Sequence, residues 1–183
     1  MLNQLLRIVV LSLLWLRYRI VARGLREIRG TGTRGILFLP THPALIDPII
    51  LTATLLKDFQ ARPFADQDAV DLPGIRWLVS RVRALTIPTI AKYGQSAMAR
   101  IEATVQQSIT ALREGDNIIL YPAGGLLRGH LEVVGGNSAV ETILRALPEA
   151  RVVLVRTRGL WGSSFSLIHG KEADVGTILL RGI

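Results

Sequence analysis

Residues 36–47 read ILFLPTHPALID, a short apolar run followed directly by a polar loop and a helix start. The run at residues 36–39 follows a glycine-rich turn, which is typical of a buried strand. Asp47 then stands as a helix N-cap, and the proline after it takes the first position of a helix predicted over residues 48–57. The stretch therefore predicts a strand-loop-helix unit.

The same alternation continues along the chain. Gly115 follows the clearest helix as its C′ residue, and that helix has one apolar stripe, Met98, Ile101, Val105, Ile109 and Leu112. Strands that alternate with helices predict an α/β fold, with a mostly parallel central sheet flanked by helices. The further strands are predicted at residues 84–87, 117–121 and 152–155, and the further helices at 73–82, 95–114 and 137–147.

The composition excludes several classes of protein. The 183-residue chain has a mean hydropathy of +0.37, so it is not a disordered tail. It has no cysteine, which excludes disulfides, thiolate zinc sites and cysteine nucleophiles. The formal charge of +8, carried by 19 Arg and 3 Lys against 14 acidic residues, predicts an anionic partner: nucleic acid, an acidic membrane or a phosphorylated molecule.

The N-terminal residues combine an apolar run with basic residues. The run at residues 8–16 is shorter than the about 20 apolar residues of a spanning helix. Arg19, Arg23 and Arg26 are spaced to share one helix face, and Trp15 and Tyr18 lie at the join. We therefore predict an amphipathic, interfacial membrane anchor over 1–29, which holds an α/β domain over 30–183 on the cytoplasmic face of the cell membrane.

The anchor has two alternatives. A cleavable signal peptide is disfavoured because the positive charge follows the apolar run instead of preceding it. A buried helix of a soluble domain stays open, since nine apolar residues also suit a protein core.

Other motifs carry no prediction of chemistry. The glycines of residues 30–35, GTGTRG, follow a helix and precede a strand, the reverse of a dinucleotide-binding fingerprint, so a turn is expected. His130 and His169 have no second ligand at zinc spacing, and no metal site is predicted. Nucleic-acid binding is disfavoured because aromatic residues make up only 5% of the chain, which leaves few stacking surfaces.

His42 and Asp47 are the candidate catalytic pair. They follow the strand at residues 36–39, and in an open α/β sheet sites form beyond the carboxyl ends of strands. The imidazole can act as a general base, which a carboxylate five residues later can orient and support. Asp47 as a simple helix cap remains the alternative, although its two oxygens could serve both roles.

A second loop, residues 121–128 (YPAGGLLR), also follows a buried strand. Its glycines allow close approach of the backbone, and Arg128 can contact a phosphate. An ordinary strand-to-loop turn is the alternative.

His42-x4-Asp47 after a strand, followed by the Tyr121-Pro-x-Gly turn, resembles the glycerolipid acyltransferases typified by 1-acylglycerol-3-phosphate acyltransferase. That family carries Asn-His-x4-Asp and Phe-Pro-Glu-Gly-Thr-Arg at these two blocks. The resemblance extends from the N-terminal residues to about Phe165. Residues 155–166 further resemble acyltransferase domains that are fused to, or work beside, acyl-activating ligases.

The resemblance implies a function for each matching residue. His42 would deprotonate the acceptor hydroxyl of a lysophospholipid, which attacks the thioester of acyl-CoA or acyl carrier protein, and Asp47 would orient His42. No cofactor is implied beyond the acyl donor, and the partners would be an anionic membrane and an acyl carrier protein or acyl-activating ligase. The glycerophosphate part of the acceptor would be held by the second loop, through Tyr121, Pro122, Gly124, Gly125 and Arg128.

The chain also departs from the family pattern. Thr41 replaces Asn, and Ala123 and Leu126 replace the Glu and Arg of the second loop. Phosphate binding is therefore expected either to have moved to Arg128, Arg156 or Arg158, or to serve an acceptor other than lysophosphatidic acid. A catalytically degenerate domain that binds lipid or a protein partner is the alternative function. Family domains continue further, so the apolar end at residues 179–183 suggests C-terminal truncation.

Overall fold

The computed structural model describes residues 2–70, 75–88, 90–129, 131–132, 134, 138–163 and 165–167. His130, His169, residues 179–183 and the predicted helix starts at Pro73 and Asn137 lie outside the described residues. The helices are α1 Leu2–Trp15, α2 Leu25–Gly30, α3 Asp47–Leu55, α4 Gln67–Val70, α5 Ile75–Arg81, α6 Ile90–Tyr93, α7 Gln95–Arg113 and α8 Ser138–Ala146. The strands are β1 Ile36–Pro40, β2 Arg62–Asp66, β3 Leu85–Ile87, β4 Ile118–Ile119 and β5 Arg151–Val155.

The five strands form one sheet in the order β3-β2-β4-β1-β5, and every neighbouring pair is parallel. The predicted α/β class with a mostly parallel sheet is therefore confirmed. Strand β1 lies between β4 and β5, so the loops that follow these three strands leave the sheet at the same edge.

Strand β1 is buried on both faces, which explains its unbroken run of apolar residues. Leu37 and Leu39 pack on one side with α7 and α8. Ile36 and Phe38 pack on the other side with α3 and with Leu25 and Ile28 of α2. The sheet is thus covered by helices on both faces, and β1 holds the loop after it in a fixed position.

Asn117 joins three segments of backbone next to β1. Its amide oxygen accepts from the Ile36 N–H at 2.9 Å, and its amide nitrogen donates to the carbonyl oxygens of Thr33 at 2.7 Å and Phe59 at 2.5 Å. The side chain is buried, so water cannot readily replace these bonds. Asn117 therefore ties the start of β1 to the segment that leads into β4.

We expect Asn117→Leu to lower the free energy of unfolding by about 2–4 kcal/mol, because it leaves buried backbone groups of Ile36 and Phe59 without partners. Urea unfolding followed by circular dichroism measures the change. Gln106→Leu, which replaces an exposed amide side chain of α7, provides the comparison, and an equal loss in both variants would contradict the prediction.

The basic residues near the N-terminus do not form the predicted helix face. Helix α1 ends at Trp15, the chain between α1 and α2 is irregular, and α2 begins only after Gly24, whose φ of +83° is a left-handed conformation. A residue with this φ does not continue a right-handed helix. Arg19 and Arg23 lie in the irregular segment before Gly24, and only Arg26 is helical. The prediction of one basic helix face is therefore wrong, although all three arginines are exposed.

Helix α1 packs on α3 through one face only. Leu14 is buried, and the Arg7 guanidinium donates through Nε to the Ala53 carbonyl oxygen at 3.1 Å. Among the residues that the structure describes, no helix has both the length and the apolar character needed to cross a membrane. The opposite side, here called the outer face of α1, exposes the large apolar side chains of Leu5, Ile8, Val9, Leu13, Trp15 and Leu16.

Candidate active site

The His42 and Asp47 side chains meet at the carboxyl end of β1. The His42 Nδ1 atom lies 3.0 Å from Asp47 Oδ2, and the Ala44 N–H donates to the same oxygen at 3.3 Å. Asp47 is buried with a relative exposure of 1%, whereas the His42 side chain keeps 15%. A tight turn closed by the Asp47 N–H and the Ala44 carbonyl oxygen brings the two residues together.

The predicted role of Asp47 as a helix N-cap is wrong. Asp47 is the first residue of α3, Ile46 takes the cap position, and no side-chain hydrogen bond caps the helix. The proline that follows has no N–H to offer at the start of the helix, and the carboxylate is turned towards the imidazole. The predicted pairing of Asp47 with His42 matches the observed contact.

Tyr121, just beyond β4, completes a group of three side chains. Its hydroxyl donates to Asp47 Oδ1 at 2.7 Å, and its ring centroid lies 4.2 Å from that of His42 at an interplanar angle of 34°. Burial raises the pKa of the Tyr121 hydroxyl, and the Asp47 carboxylate raises it further, so the hydroxyl remains a hydrogen-bond donor. Its hydroxyl is thus bonded to Asp47 of the candidate pair, and its predicted part in acceptor binding stays a prediction.

The loop after β4 is attached to the backbone of His42. The Leu127 N–H donates to the His42 carbonyl oxygen at 2.8 Å, and a turn at Gly124, with a φ of +68°, bends the chain towards this contact. This hydrogen bond places the predicted acceptor-binding loop beside the pair. Within the loop, Gly124, Gly125 and Arg128 are exposed and Pro122 is half-buried. A Cβ at Gly125 would meet no heavy atom, so the structure gives no steric reason for that glycine.

Glu132 is a neighbour of the pair that sequence reasoning missed. Its Oε1 atom accepts from the His42 main-chain N–H at 3.0 Å, and the side chain is half-buried. The contact spans 90 residues of sequence and lies outside both motifs, so no local pattern could have revealed it. It places a carboxylate beside His42 in a chain whose second loop has Ala123 instead of glutamate.

Arg156 and Arg158 follow β5, the other neighbour of β1. The strand ends at Val155, so the two arginines lie just beyond it; both are exposed, and the residue between them is half-buried. Thr41 joins this segment to the loop that carries His42, because its N–H donates to the Val155 carbonyl oxygen at 3.0 Å and its Oγ1 accepts from the Thr157 N–H at 3.1 Å. Within the described ranges, neither of these arginines nor Arg128 forms an ion pair with a carboxylate.

A family model described as acyltransferase matches residues 19–157. Among solved structures, the chain is similar to the 1-acyl-sn-glycerophosphate acyltransferase PlsC from Thermotoga maritima, at 14% identity and a TM-score of 0.47. That similarity covers 65% of this chain and 42% of the PlsC chain, so the chain spans less than half the length of that protein. Comparison with curated proteins gives no match.

Proposed function

The chain belongs to the acyltransferase family, and on that premise we propose that it moves a fatty acyl group from a thioester to the free hydroxyl of a lysophospholipid. The donor is acyl-CoA or acyl carrier protein, and no further cofactor takes part. The observation that carries the proposal is the 3.0 Å contact between His42 Nδ1 and the buried Asp47 carboxylate, placed beyond the carboxyl end of a central strand.

The contact supports a separate role for each nitrogen of His42. With the Nδ1 proton donated to Asp47, Nε2 is the atom that takes the proton of the acceptor hydroxyl. The resulting oxygen nucleophile attacks the thioester carbonyl, and the tetrahedral intermediate breaks its carbon–sulfur bond. The thiolate leaves and receives the proton from the imidazolium, which regenerates neutral His42. The Asp47 carboxylate supports the imidazolium in between.

Exposed arginines beside the pair suit an acceptor that carries a phosphate. Arg128 lies in the loop after β4, and Arg156 and Arg158 lie in the segment after β5. These two strands flank β1. Guanidinium groups bind phosphate oxygens through paired hydrogen bonds. We propose that these three residues, with the turn at Pro122, Gly124 and Gly125, hold the headgroup of a lysophospholipid other than lysophosphatidic acid.

The proposal is tested with the purified chain, lipid vesicles and two acyl donors, oleoyl-CoA and oleoyl carrier protein. Lysophosphatidic acid, lysophosphatidylethanolamine and lysophosphatidylglycerol serve as acceptors, and mass spectrometry detects the product. Product and free thiol should form in equal amounts and only when donor and acceptor are both present. Vesicle binding without product across all pairs would instead favour a degenerate domain that only binds lipid.

We further propose that the outer face of α1 rests on the cytoplasmic surface of an anionic membrane. This face is apolar, and the exposed residues Arg17, Arg19 and Arg23 follow it directly. An apolar face beside basic residues is the arrangement of helices that lie in the membrane interface. This placement would give the site access to a lysophospholipid without the donor leaving the aqueous phase.

The combined substitution of Ile8→Glu and Trp15→Glu should reduce co-sedimentation with anionic vesicles at least about tenfold, because two exposed apolar side chains are replaced by charges that the lipid headgroups repel. Met98→Glu, which changes an apolar side chain of α7 that is 53% exposed, is the control and should bind as the unmodified chain does. Equal sedimentation of both variants would exclude the outer face of α1 as the membrane contact.

A further inference from the structure

We infer that the Tyr121 hydroxyl is a positioning group that lowers the tendency of His42 to hold a proton, by sharing the charge of Asp47. The catalytic consequence of this effect rests on the proposed function. The effect itself depends only on the contacts among Tyr121, Asp47 and His42. Tyr121 contacts both members of the pair, through its hydroxyl on Asp47 and through its ring on His42.

The two oxygens of Asp47 have separate partners. Oδ2 faces His42 Nδ1 at 3.0 Å and accepts from the Ala44 N–H, whereas Oδ1 accepts from the Tyr121 hydroxyl at 2.7 Å. The carboxylate is buried, so these donors take the place of water as its stabilising environment. Each donor disperses part of the negative charge, and a more dispersed charge supports a neighbouring imidazolium less strongly.

The ring of Tyr121 has a second effect, which is distinct from that of the hydroxyl. It lies against the imidazole at 4.2 Å and limits the orientations that His42 can adopt. Tyr121→Phe keeps the ring and removes only the hydroxyl, and the resembling family motif carries Phe at this position, so the substitution fits the site. Tyr121→Leu removes both.

The other charged groups around the pair, which include the exposed Arg128, Arg156 and Arg158 on the neighbouring loops, stay the same in these variants. Glu132, in the loop after β4, accepts a hydrogen bond from the His42 main-chain N–H. Asp47, in α3, contacts the His42 ring at Nδ1. Both carboxylates favour the protonated imidazole, whereas the Ala44 N–H and the Tyr121 hydroxyl, which donate to Asp47, oppose this effect. Of these two donors, Tyr121→Phe removes only the hydroxyl. Removing the hydroxyl should therefore let His42 keep its proton to higher pH.

The test follows the His42 ring by ¹H–¹³C NMR as a function of pH, with the resonance assigned from a His42→Gln spectrum. In Tyr121→Phe the titration of His42 should move up by about half a pH unit. The acidic limb of kcat/KM should move in the same direction, because the base must be neutral to act. At the plateau, kcat of Tyr121→Leu should lie at least about tenfold below that of Tyr121→Phe, because only the phenylalanine variant keeps a ring that holds His42.

Tyr93→Phe is the matched control. The Tyr93 hydroxyl donates to Asp68 Oδ1 at 2.8 Å, so the variant removes the same kind of bond to a different carboxylate and should leave the titration of His42 unchanged. A His42 titration in Tyr121→Phe that coincides with that of the unmodified chain, or moves to lower pH, overturns the inference. Because the NMR titration needs no turnover, it gives its answer even if the proposed acyl transfer is not observed, and so separates the two failures.

Discussion

Replacing His42 with alanine is expected to lower kcat/KM for acyl transfer about 10³-fold. The variant has no base at the position of Nε2, so the acceptor hydroxyl must attack the thioester without losing its proton to the protein. Thiol release from oleoyl-CoA or oleoyl carrier protein in the presence of the best acceptor measures the loss.

The loss must come from chemistry and not from unfolding. The His42 side chain is 15% exposed, and its ring packs on Tyr121, so removing it leaves a small gap at the edge of the core. The urea midpoint and vesicle binding of the variant should stay close to those of the unmodified chain. Turnover equal to that of the unmodified chain would remove His42 from the mechanism, whereas partial recovery with added imidazole would support its role as a base.

Asp47→Asn is expected to lower kcat about 10²–10⁴-fold, while the chain remains folded. Three donors, the His42 ring, the Ala44 N–H and the Tyr121 hydroxyl, converge on the two carboxylate oxygens. An amide has a single acceptor oxygen, so its NH₂ group must face one of these donors. If it faces His42, the ring adopts the tautomer with the proton on Nε2 and cannot act as a base there.

Single-turnover kinetics with saturating acyl donor measure this loss directly. Asp58→Asn is the control, because it removes a carboxylate that lies just after α3 and pairs with Arg29 at 3.5 Å, away from the His42 pair. Asp58→Asn should keep the rate of the unmodified chain. A rate for Asp47→Asn within twofold of that control would show that the carboxylate charge does not support catalysis.

Sequence patterns predicted most helices and strands, but not β2. Its residues, RPFAD, lack an apolar run and include Pro63, which cannot donate to a neighbouring strand. The segment becomes a strand because β3 and β4 lie on either side of it. Arg62 is buried there through its ion pair with Asp116 at 2.8 Å and its bond to the Arg83 carbonyl oxygen at 2.9 Å. All of these partners are distant in sequence.

The basic residues near the N-terminus show a similar limit. The spacing of Arg19, Arg23 and Arg26 fits a helix, yet Gly24 interrupts it. Helical spacing describes where side chains would lie if a helix formed, and it does not establish that the intervening residues favour one. The exposure of these arginines follows from their charge, regardless of local structure.

The sequence by itself determined the alternation of strands and helices and the pairing of His42 with Asp47. Both depend on neighbours a few residues apart, through apolar periodicity in one case and a tight turn at the end of β1 in the other. Only the tertiary structure decided that Tyr121 bonds to Asp47 and that Glu132 bonds to the His42 backbone, contacts that span 74 and 90 residues. Such contacts arise because the order β4-β1-β5 brings separate loops to one edge of the sheet, and strand order is set by how the whole core packs.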